Sequence, residues 1–279
     1  MKCFYHSRDL DGHCAGAVIL YFHPACEMIG MDYGDPFPVE DIGPGEVVFL
    51  VDFSLPVPQM IDLDERAELV WIDHHLSAIE AVPPGIKGLR STRFSGCELA
   101  WTYLRGARFM PRAVSLLGRY DVWDHSFDDV LSFQYGMRAL PETKPDRAFS
   151  LWVDLFSGRK VDSILADGAV VRRYVVANDK KVAGLMAFSC VVLGKVAVAI
   201  NRWPASADMF ESVFDPGAHE IMVAYGYKGG RYQVSLFSPA GGVNVGALAK
   251  TVGGGGHANA AGYISDNLGF EALPGGARP

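Results

Sequence analysis

The first part of the chain alternates short apolar runs with longer stretches of helical periodicity. The short runs lie at residues 2–7, 47–53 and 69–75. This alternation predicts a parallel α/β sheet. Residues 47–51 are apolar at every position, as expected for a strand that helices cover on both faces. We therefore predict a central sheet wrapped on both sides by helices.

The second part of the chain has a different pattern. Residues 164–182 carry apolar side chains at helical spacing, which predicts a connecting helix. Further β-rich runs and a short helix follow, at residues 190–200, 220–226, 231–237 and 243–252. The pattern predicts an α/β domain over 1–150, a helical linker over 151–187 and a smaller α/β domain over 188–279.

Composition narrows the class of protein. Of 279 residues, 49% are hydrophobic and 20% are charged, so a sizeable core is available and disorder is excluded as the main state. The apolar stretch 14–22 is too short to span a bilayer and follows acidic residues, so we expect no membrane segment. The five cysteines form no C-x-x-C pair. A reducing cytoplasm fits them best.

The net charge of the chain limits the kind of nucleic acid that it could bind. The chain has 25 Lys and Arg against 32 Asp and Glu, a formal net charge of −7. A surface that grips long duplex nucleic acid needs clustered Lys and Arg to neutralise phosphates. We therefore expect any nucleotide substrate to be short.

The first candidate for chemistry is the segment His6-Ser7-Arg8-Asp9-Leu10-Asp11-Gly12, which begins where a predicted strand ends. Two carboxylates separated by one residue in a turn can face two different cations, and Gly12 lets the backbone bend beside them. The alternative is that Asp9 caps a helix and that Asp11 is a solvated turn residue.

Two more acidic positions follow predicted strands directly. Asp52 comes after one apolar strand, and Asp73-His74-His75 comes after the next. The carboxyl ends of parallel strands form the ligand crevice of open α/β sheets. Taken singly, Asp52 could be a capping residue and each histidine a structural one.

Two weaker candidates complete the set. Asp121 lies at the end of a predicted helix, where Asp124 competes for the same role. The run 253–256 is four glycines followed by His257, and glycine N–H groups can cradle a phosphate. A helix that starts near His257 would add its positive end to that cradle. The alternative is a flexible helix cap and linker.

The ordered set of these motifs resembles the DHH phosphoesterase superfamily with its DHH-associated C-terminal domain. The resemblance spans nearly the whole chain. It implies two domains with a cleft between them, two Mn²⁺ ions in the N-terminal domain, and hydrolysis of phosphate esters by a water that the two metals activate. Mg²⁺ or Co²⁺ could replace Mn²⁺, and carboxylate and imidazole ligands without thiolate favour such ions over structural zinc.

The resemblance also implies roles for individual residues. Asp52 would bridge the metals and act in catalysis, and His75 would face the phosphate as a catalytic and substrate-binding group. The remaining metal ligands would be His6 and Asp9 in one site, and Asp11, His74 and Asp121 in the other. The substrate-binding loop would comprise Gly254, Gly255, Gly256 and His257.

The chain departs from the family pattern in two places. His6 stands three residues before Asp9, where many members have a spacing of four. An Arg in the family's Ser-Leu-Arg-Ser run is replaced by Phe237 in Ser235-Leu236-Phe237-Ser238. Arg202 could supply a replacement anion contact, although a solvated surface arginine is its ordinary interpretation.

The expected substrate is a short oligonucleotide or a small phosphorylated nucleotide, cleaved at a phosphodiester or phosphomonoester bond. Between residues 238 and 262 the one basic side chain of the Lys or Arg type is Lys250, which disfavours pyrophosphate and polyphosphate. A homodimer is compatible with the sequence. The alternative function is a catalytically silent nucleotide sensor that uses the same cleft.

Overall fold

The computed structural model describes residues 1–124 and 126–273, and the chain divides into two compact units, Met1–Arg172 and Arg173–Pro279. Residues 274–279 of the predicted C-terminal domain lie outside the described part. The boundary between the units falls inside helix α8, which runs from Val161 to Met186. The finer division into domain, linker and domain stays a prediction.

Among the described residues, the first unit contains a five-stranded sheet in the order β2-β1-β3-β4-β5, with every strand pair parallel. This arrangement confirms the parallel sheet that the alternating pattern predicted. Its strands are β1 (Lys2–His6), β2 (Glu27–Met31), β3 (Val47–Val51), β4 (Glu68–Asp73) and β5 (Lys87–Arg90).

Helices cover both faces of this sheet. On one face Tyr5 and Val51 join a core with helices α1, α4 and α5, and on the other Phe4 and Leu50 join a separate core with α2. The helices are α1 (Leu10–Phe22), α2 (Val57–Arg66), α3 (Leu76–Ala81), α4 (Gly96–Arg105), α5 (Arg112–Asp121), α6 (Asp128–Arg138) and α7 (Phe149–Phe156). Burial on both faces explains why β3 is apolar throughout.

The second unit is built on a mixed sheet, seven-stranded among the described residues, in the order β10-β11-β9-β8-β7-β6-β12. Only β7 and β8 pair in parallel within that described sheet. Its elements are β6 (Phe188–Val192), β7 (Lys195–Ile200), β8 (Ile221–Lys228), β9 (Arg231–Phe237), α9 (Val245–Lys250), β10 (Gly255–Gly256), β11 (Ala260–Ser265) and β12 (Glu271–Ala272).

The predicted β-rich run over residues 190–200 is two strands. A two-residue turn at Leu193 and Gly194, with φ of 50° and 74°, separates β6 from β7. Positive φ at both positions matches the twist of a tight hairpin, but leucine gives no sequence signal for it. By contrast, the turn that joins β8 to β9 is Gly229-Gly230, where both glycines have positive φ and glycine is the residue expected from sequence.

Two further findings concern the cysteines and the helices. All five cysteines lie in the described part of the chain; all are buried, and none forms a disulfide. None of the described helices combines the length and the apolarity that crossing a membrane would require.

Candidate metal centre

The turn after β1 brings His6 against Asp9. Asp9 caps α1, because its Oδ1 accepts a hydrogen bond of 2.9 Å from the Gly12 backbone N–H. Its Oδ2 lies 2.9 Å from Nδ1 of His6. Asp9 therefore combines the capping role with a place beside the histidine. Gly12 is required here, since a Cβ at that position would overlap the carbonyl oxygen of His6.

Asp52 occupies the middle of the site. Its carboxylate lies between two histidines, with Oδ2 3.6 Å from Nδ1 of His6 and Oδ1 3.2 Å from Nε2 of His74. The residue is 1% exposed and has a φ of 53°, in the left-handed region. Few residues other than glycine adopt that region, aspartate and asparagine most readily among them, and such uncommon conformations concentrate at functional sites.

The end of β4 supplies His74 and His75, and the end of α5 supplies Asp121. Nε2 of His74 lies 3.3 Å from Oδ2 of Asp121. Asp73 is fully buried, and its Oδ1 accepts hydrogen bonds from the backbone N–H of His74 at 2.7 Å and from Nδ1 of His75 at 2.7 Å. Asp73 thus fixes the His75 ring, a role that the sequence did not assign.

Asp11 is held by the start of helix α4. Its Oδ2 accepts from the Gly96 N–H at 2.7 Å and its Oδ1 from the Cys97 N–H at 3.1 Å. The N-terminus of a helix favours a negative charge, and Asp11 is only 3% exposed. A capping box of Ser95 and Glu98 starts that helix. Its Ser-x-x-Glu signature is visible in the sequence, but nothing there connects it to Asp11.

The side chains predicted as metal ligands come together. Within each of three groups, the ligand atoms all lie within 4.8 Å of one another. The groups are His6, Asp9 and Asp52; Asp11, His74 and Asp121; and Asp52, His74 and His75. The shifted spacing of His6 does not remove it from the cluster. Asp52 belongs to the first group and lies 3.2 Å from His74 of the second, so its position suits a ligand shared between two cations.

Three polar atoms in the cluster support the fit to cations. Among the described residues, Nδ1 of His6, Oδ1 of Asp52 and Oδ2 of Asp121 are buried without a hydrogen bond. Each lies within 3.3 Å of a carboxylate oxygen or an imidazole nitrogen of the same cluster. Buried polar atoms normally have a partner. Carboxylate oxygens and imidazole nitrogens in this state are suitable donors for divalent ions.

The ionisable groups of the cluster shift one another's pKa values. Burial, together with the charge of Asp52, raises the pKa of Asp11 to about 7. Burial and the charge of Asp11 raise the pKa of Asp121 as well. Burial opposes the charged forms of His6 and His74, but the proximity of Asp52 prevails and raises the pKa of each to about 10. Without cations, protons balance the buried carboxylates.

Binding of Mn²⁺ should therefore release protons. At pH 6 the histidines His6 and His74 and the carboxyl of Asp11 all hold protons that metal ligation must displace. The affinity for Mn²⁺ should rise as the pH increases from 6 to 8, because the proton on Asp11 is lost near pH 7 and no longer competes. Titration calorimetry in buffers of different ionisation enthalpy measures this release.

Equal heats of Mn²⁺ binding in all buffers, with an affinity independent of pH, would contradict this linkage. The variant Asp64→Asn, on the exposed face of α2, is the matched control. Its proton release should equal that of the unmodified protein.

The second unit has its own groove of about 880 Å³. Gly254, Gly255 and Gly256 line it, together with Trp203 and Gln233. Among the described lining residues the one cationic side chain is Arg231, which is ion-paired to Asp266 at 2.7 Å. The groove is thus lined by several glycines, and its described lining carries little positive charge.

His257 and Arg202 do not line this groove. The predicted helix near His257 is wrong, since Gly255 and Gly256 pair with Gly262 and Ala261 and place His257 in an exposed hairpin loop. Arg202 forms an ion pair of 2.8 Å with Asp179 of α8. The predicted substrate contacts of the loop and of Arg202 stay predictions.

The glycines of the groove differ in what they contact, which allows a test. A Cβ at Gly254 would overlap the carbonyl oxygen of Gly262, whereas a Cβ at Gly255 meets nothing within 4 Å. We expect Gly254→Ala to destabilise the fold by about 1–3 kcal/mol through overpacking. Gly255→Ala should leave the melting temperature unchanged, because its methyl group meets no neighbouring atom. It should raise the KM of a substrate that approaches this backbone, because the methyl group would occupy part of the groove.

Melting curves and steady-state kinetics on both variants make this comparison. An unchanged KM for Gly255→Ala would exclude a close approach of substrate to that backbone.

Comparison with known proteins identifies the fold. No family model and no curated protein matches the chain. The pGpG-specific phosphodiesterase PggH from Vibrio cholerae has a similar structure, with a TM-score of 0.57 and 14% identity over 95% of this chain and 92% of that one. The DHH domain of a protein described as a member of a family of ribosomal proteins has a TM-score of 0.53 and 13% identity, covering 95% and 82%.

An exopolyphosphatase-related protein from Bacteroides fragilis is also similar, with a TM-score of 0.52 and 13% identity over 94% of this chain and 85% of that one. These neighbours, together with the parallel sheet and the aspartates and histidines at its strand ends, define the class: the chain has the fold of DHH-domain proteins. The fold predicted from the motifs is confirmed.

Proposed function

We propose that this protein is a Mn²⁺-dependent phosphoesterase that hydrolyses short oligonucleotides or small phosphorylated nucleotides. The observation that carries the proposal is the presence of two adjacent ligand groups, His6 with Asp9 and Asp52, and Asp11 with His74 and Asp121. Oδ1 of Asp52 lies 3.2 Å from Nε2 of His74, so Asp52 lies beside both groups. A protein that only binds a nucleotide does not require a full dinuclear ligand set. Two of the structural neighbours are described as a phosphodiesterase and as exopolyphosphatase-related, which supports the reaction class.

In this proposal His6, Asp9 and Asp52 hold one cation, and Asp52, Asp11, His74 and Asp121 hold the other. Two divalent ions supply Lewis-acid activation of water and neutralise the charge of the phosphoryl oxygens. The two backbone N–H groups at the start of α4 keep the Asp11 carboxylate oriented for ligation. Ligands of oxygen and nitrogen alone favour Mn²⁺ or Mg²⁺ over structural zinc.

His75 is the residue that we assign to the phosphate. Its Nδ1 is engaged with the buried carboxylate of Asp73, so the ring orientation is fixed before substrate binds. The negative charge of Asp73 favours a protonated ring, and the pKa of His75 is raised by that contact although burial opposes it. A protonated His75 can donate a hydrogen bond to a phosphoryl oxygen, or protonate a departing alkoxide.

The groove of the second unit favours nucleotides over polyphosphate. A compact, highly charged polyphosphate requires several cations, and the groove offers only the ion-paired Arg231 among its described lining residues. Glycines without side chains, beside an aromatic and an amide side chain, leave room for one phosphate with an attached nucleoside. The buried, unpaired cysteines support a cytoplasmic location in this proposal.

A product-resolved hydrolysis panel in Mn²⁺ tests the function. The substrates are di- to pentanucleotides, cyclic dinucleotides, a 3′-phosphoadenylate and pyrophosphate. We expect 5′-mononucleotides from the dinucleotides; release of orthophosphate alone would mark a phosphatase. Tight retention of a nucleotide without any product would instead establish the nucleotide sensor. The predicted inter-domain cleft and homodimer are separate from this test.

A further inference from the structure

An exposed aromatic ring lies next to the candidate metal centre. Tyr33 follows strand β2, at the same edge of the sheet as the other strand ends. Its ring centroid lies 5.7 Å from the ring of His6 and 6.0 Å from the ring of His75. The residue is nevertheless 51% exposed. Neither the predicted ligand set nor the groove of the second unit includes it.

The position of this ring is fixed by its surroundings. The ring packs on Phe53 with a centroid distance of 4.9 Å. The Tyr33 N–H donates to Oδ1 of Asp32, and the Asp32 N–H donates to Oδ2 of Asp35, both at 2.8 Å. Asp32 is in turn ion-paired to Arg8 at 2.8 Å. These local contacts therefore hold the Tyr33 ring in place at the edge of the site.

The chemistry of the ring suits a nucleobase. Every base has a π-face, and stacking on a protein aromatic is worth about 1–3 kcal/mol per base without dependence on sequence. The neighbouring ligand groups are acidic or ion-paired, and the open part of Tyr33 offers an apolar surface beside them. An inorganic polyphosphate has no group that could use this surface.

We propose that the Tyr33 ring stacks on the nucleobase attached to the phosphate at the metal centre, and that it selects nucleotide esters over esters without a base. This inference rests on the proposed phosphoesterase function and narrows its substrate class. Tyr33 ligates no cation and transfers no proton in this role. It is a substrate-binding residue whose contribution appears in KM.

The test compares Tyr33→Ala and Tyr33→Phe on two substrates in Mn²⁺. One substrate is a 5′-phosphorylated diadenylate, and the other is its abasic analogue, which keeps the sugars and phosphates. We expect Tyr33→Ala to raise KM for the diadenylate about tenfold and to leave its KM for the abasic analogue unchanged. The value of kcat should stay within about twofold on both, and Tyr33→Phe should behave as the unmodified protein.

The control variant is Tyr227→Ala in β8, where the tyrosine is 67% exposed and packs edge-on against Tyr232. This variant should leave KM and kcat unchanged for both substrates. A structural role for Tyr33 predicts a different result: kcat would fall equally on both substrates, and Mn²⁺ affinity would weaken as His6 loses support. Either of those changes, or equal KM values for the two substrates in the unmodified protein, would overturn the proposal.

Failure of the proposed function can be told apart from failure of this inference. If the unmodified protein hydrolyses neither substrate, calorimetric binding of the diadenylate in Mn²⁺ still decides the role of Tyr33. Binding about tenfold weaker in Tyr33→Ala, with no such loss for the abasic analogue, would support the stacking ring. Equal binding in the variant and the unmodified protein would reject it.

Discussion

The variant Asp52→Asn is expected to lose turnover by at least about 100-fold. Loss of a residue that only orients a metal ligand costs up to about 100-fold, and loss of a shared ligand should cost no less. Asn keeps the size of the side chain and tolerates the left-handed backbone that Asp52 adopts at φ 53°. It removes the negative charge that lies between His6 and His74. Steady-state hydrolysis of a dinucleotide in Mn²⁺ measures the loss.

The fold of this variant should persist. Asp52 belongs to a crowded group of buried acids, and its charge raises the pKa of both Asp11 and Asp121. Neutralising it relieves that repulsion but removes the counter-charge of two histidines, so the melting temperature of the cation-free protein should change by only a few degrees. Mn²⁺ should no longer stabilise the variant as it stabilises the unmodified protein.

The control for Asp52→Asn is Asp64→Asn, which makes the same chemical change on the exposed surface of α2. It should alter neither turnover nor the response to Mn²⁺. Substantial hydrolysis by Asp52→Asn would refute the role of Asp52 as a shared ligand. Loss of activity in a variant whose circular dichroism shows an unfolded chain would be a stability effect, which is why both measurements are required.

The strand-end residues of the site were predictable because their placement depends only on the residues next to them in the sequence. The all-apolar run of β3 predicts a strand covered on both faces, and the polar residue that follows it must lie at the carboxyl edge of the sheet. The same logic applies to His74 after β4. The two interpretations of Asp9 were not exclusive, since one carboxylate oxygen caps α1 while the other faces His6.

The supporting contacts were not predictable, because they join positions far apart in the chain. Asp11 accepts two N–H groups from the start of α4, 85 and 86 residues away. Asp32 follows a short, half-exposed strand whose pattern is weak, so its place 3.8 Å from Nε2 of His6 had no signal. The error at His257 has a similar cause: small residues suit a helix start, but strand pairing across the sheet formed a hairpin instead.

Gly96→Ala is expected to weaken Mn²⁺ binding by about 10- to 100-fold, as loss of an outer partner of a metal ligand does. Gly96 opens α4, and its N–H donates to Asp11. A Cβ there would lie 2.5 Å from Cβ of Asp52 and 2.7 Å from its Oδ1. Since Cβ of Asp52 is bonded directly to its backbone, a rotation of the side chain cannot remove this overlap, and either the helix start or Asp52 must move.

Either movement separates groups that the site requires together. A shift of α4 breaks the hydrogen bonds that orient Asp11, and a shift of Asp52 changes the ligand shared by the two groups. Calorimetric titration of Mn²⁺ measures the affinity independently of activity. Turnover at saturating Mn²⁺ should recover in part, because the ligands themselves remain.

The matched control is Gly184→Ala in α8, where a Cβ meets nothing within 4 Å and the backbone φ is not positive. This substitution should stabilise its helix by up to about 1 kcal/mol, since alanine has the higher helix propensity. It should leave Mn²⁺ affinity unchanged. If Gly96→Ala bound Mn²⁺ as tightly as Gly184→Ala does, the start of α4 would have no part in holding Asp11 for a cation, and the ligand cluster would have to be organised by its strand ends alone.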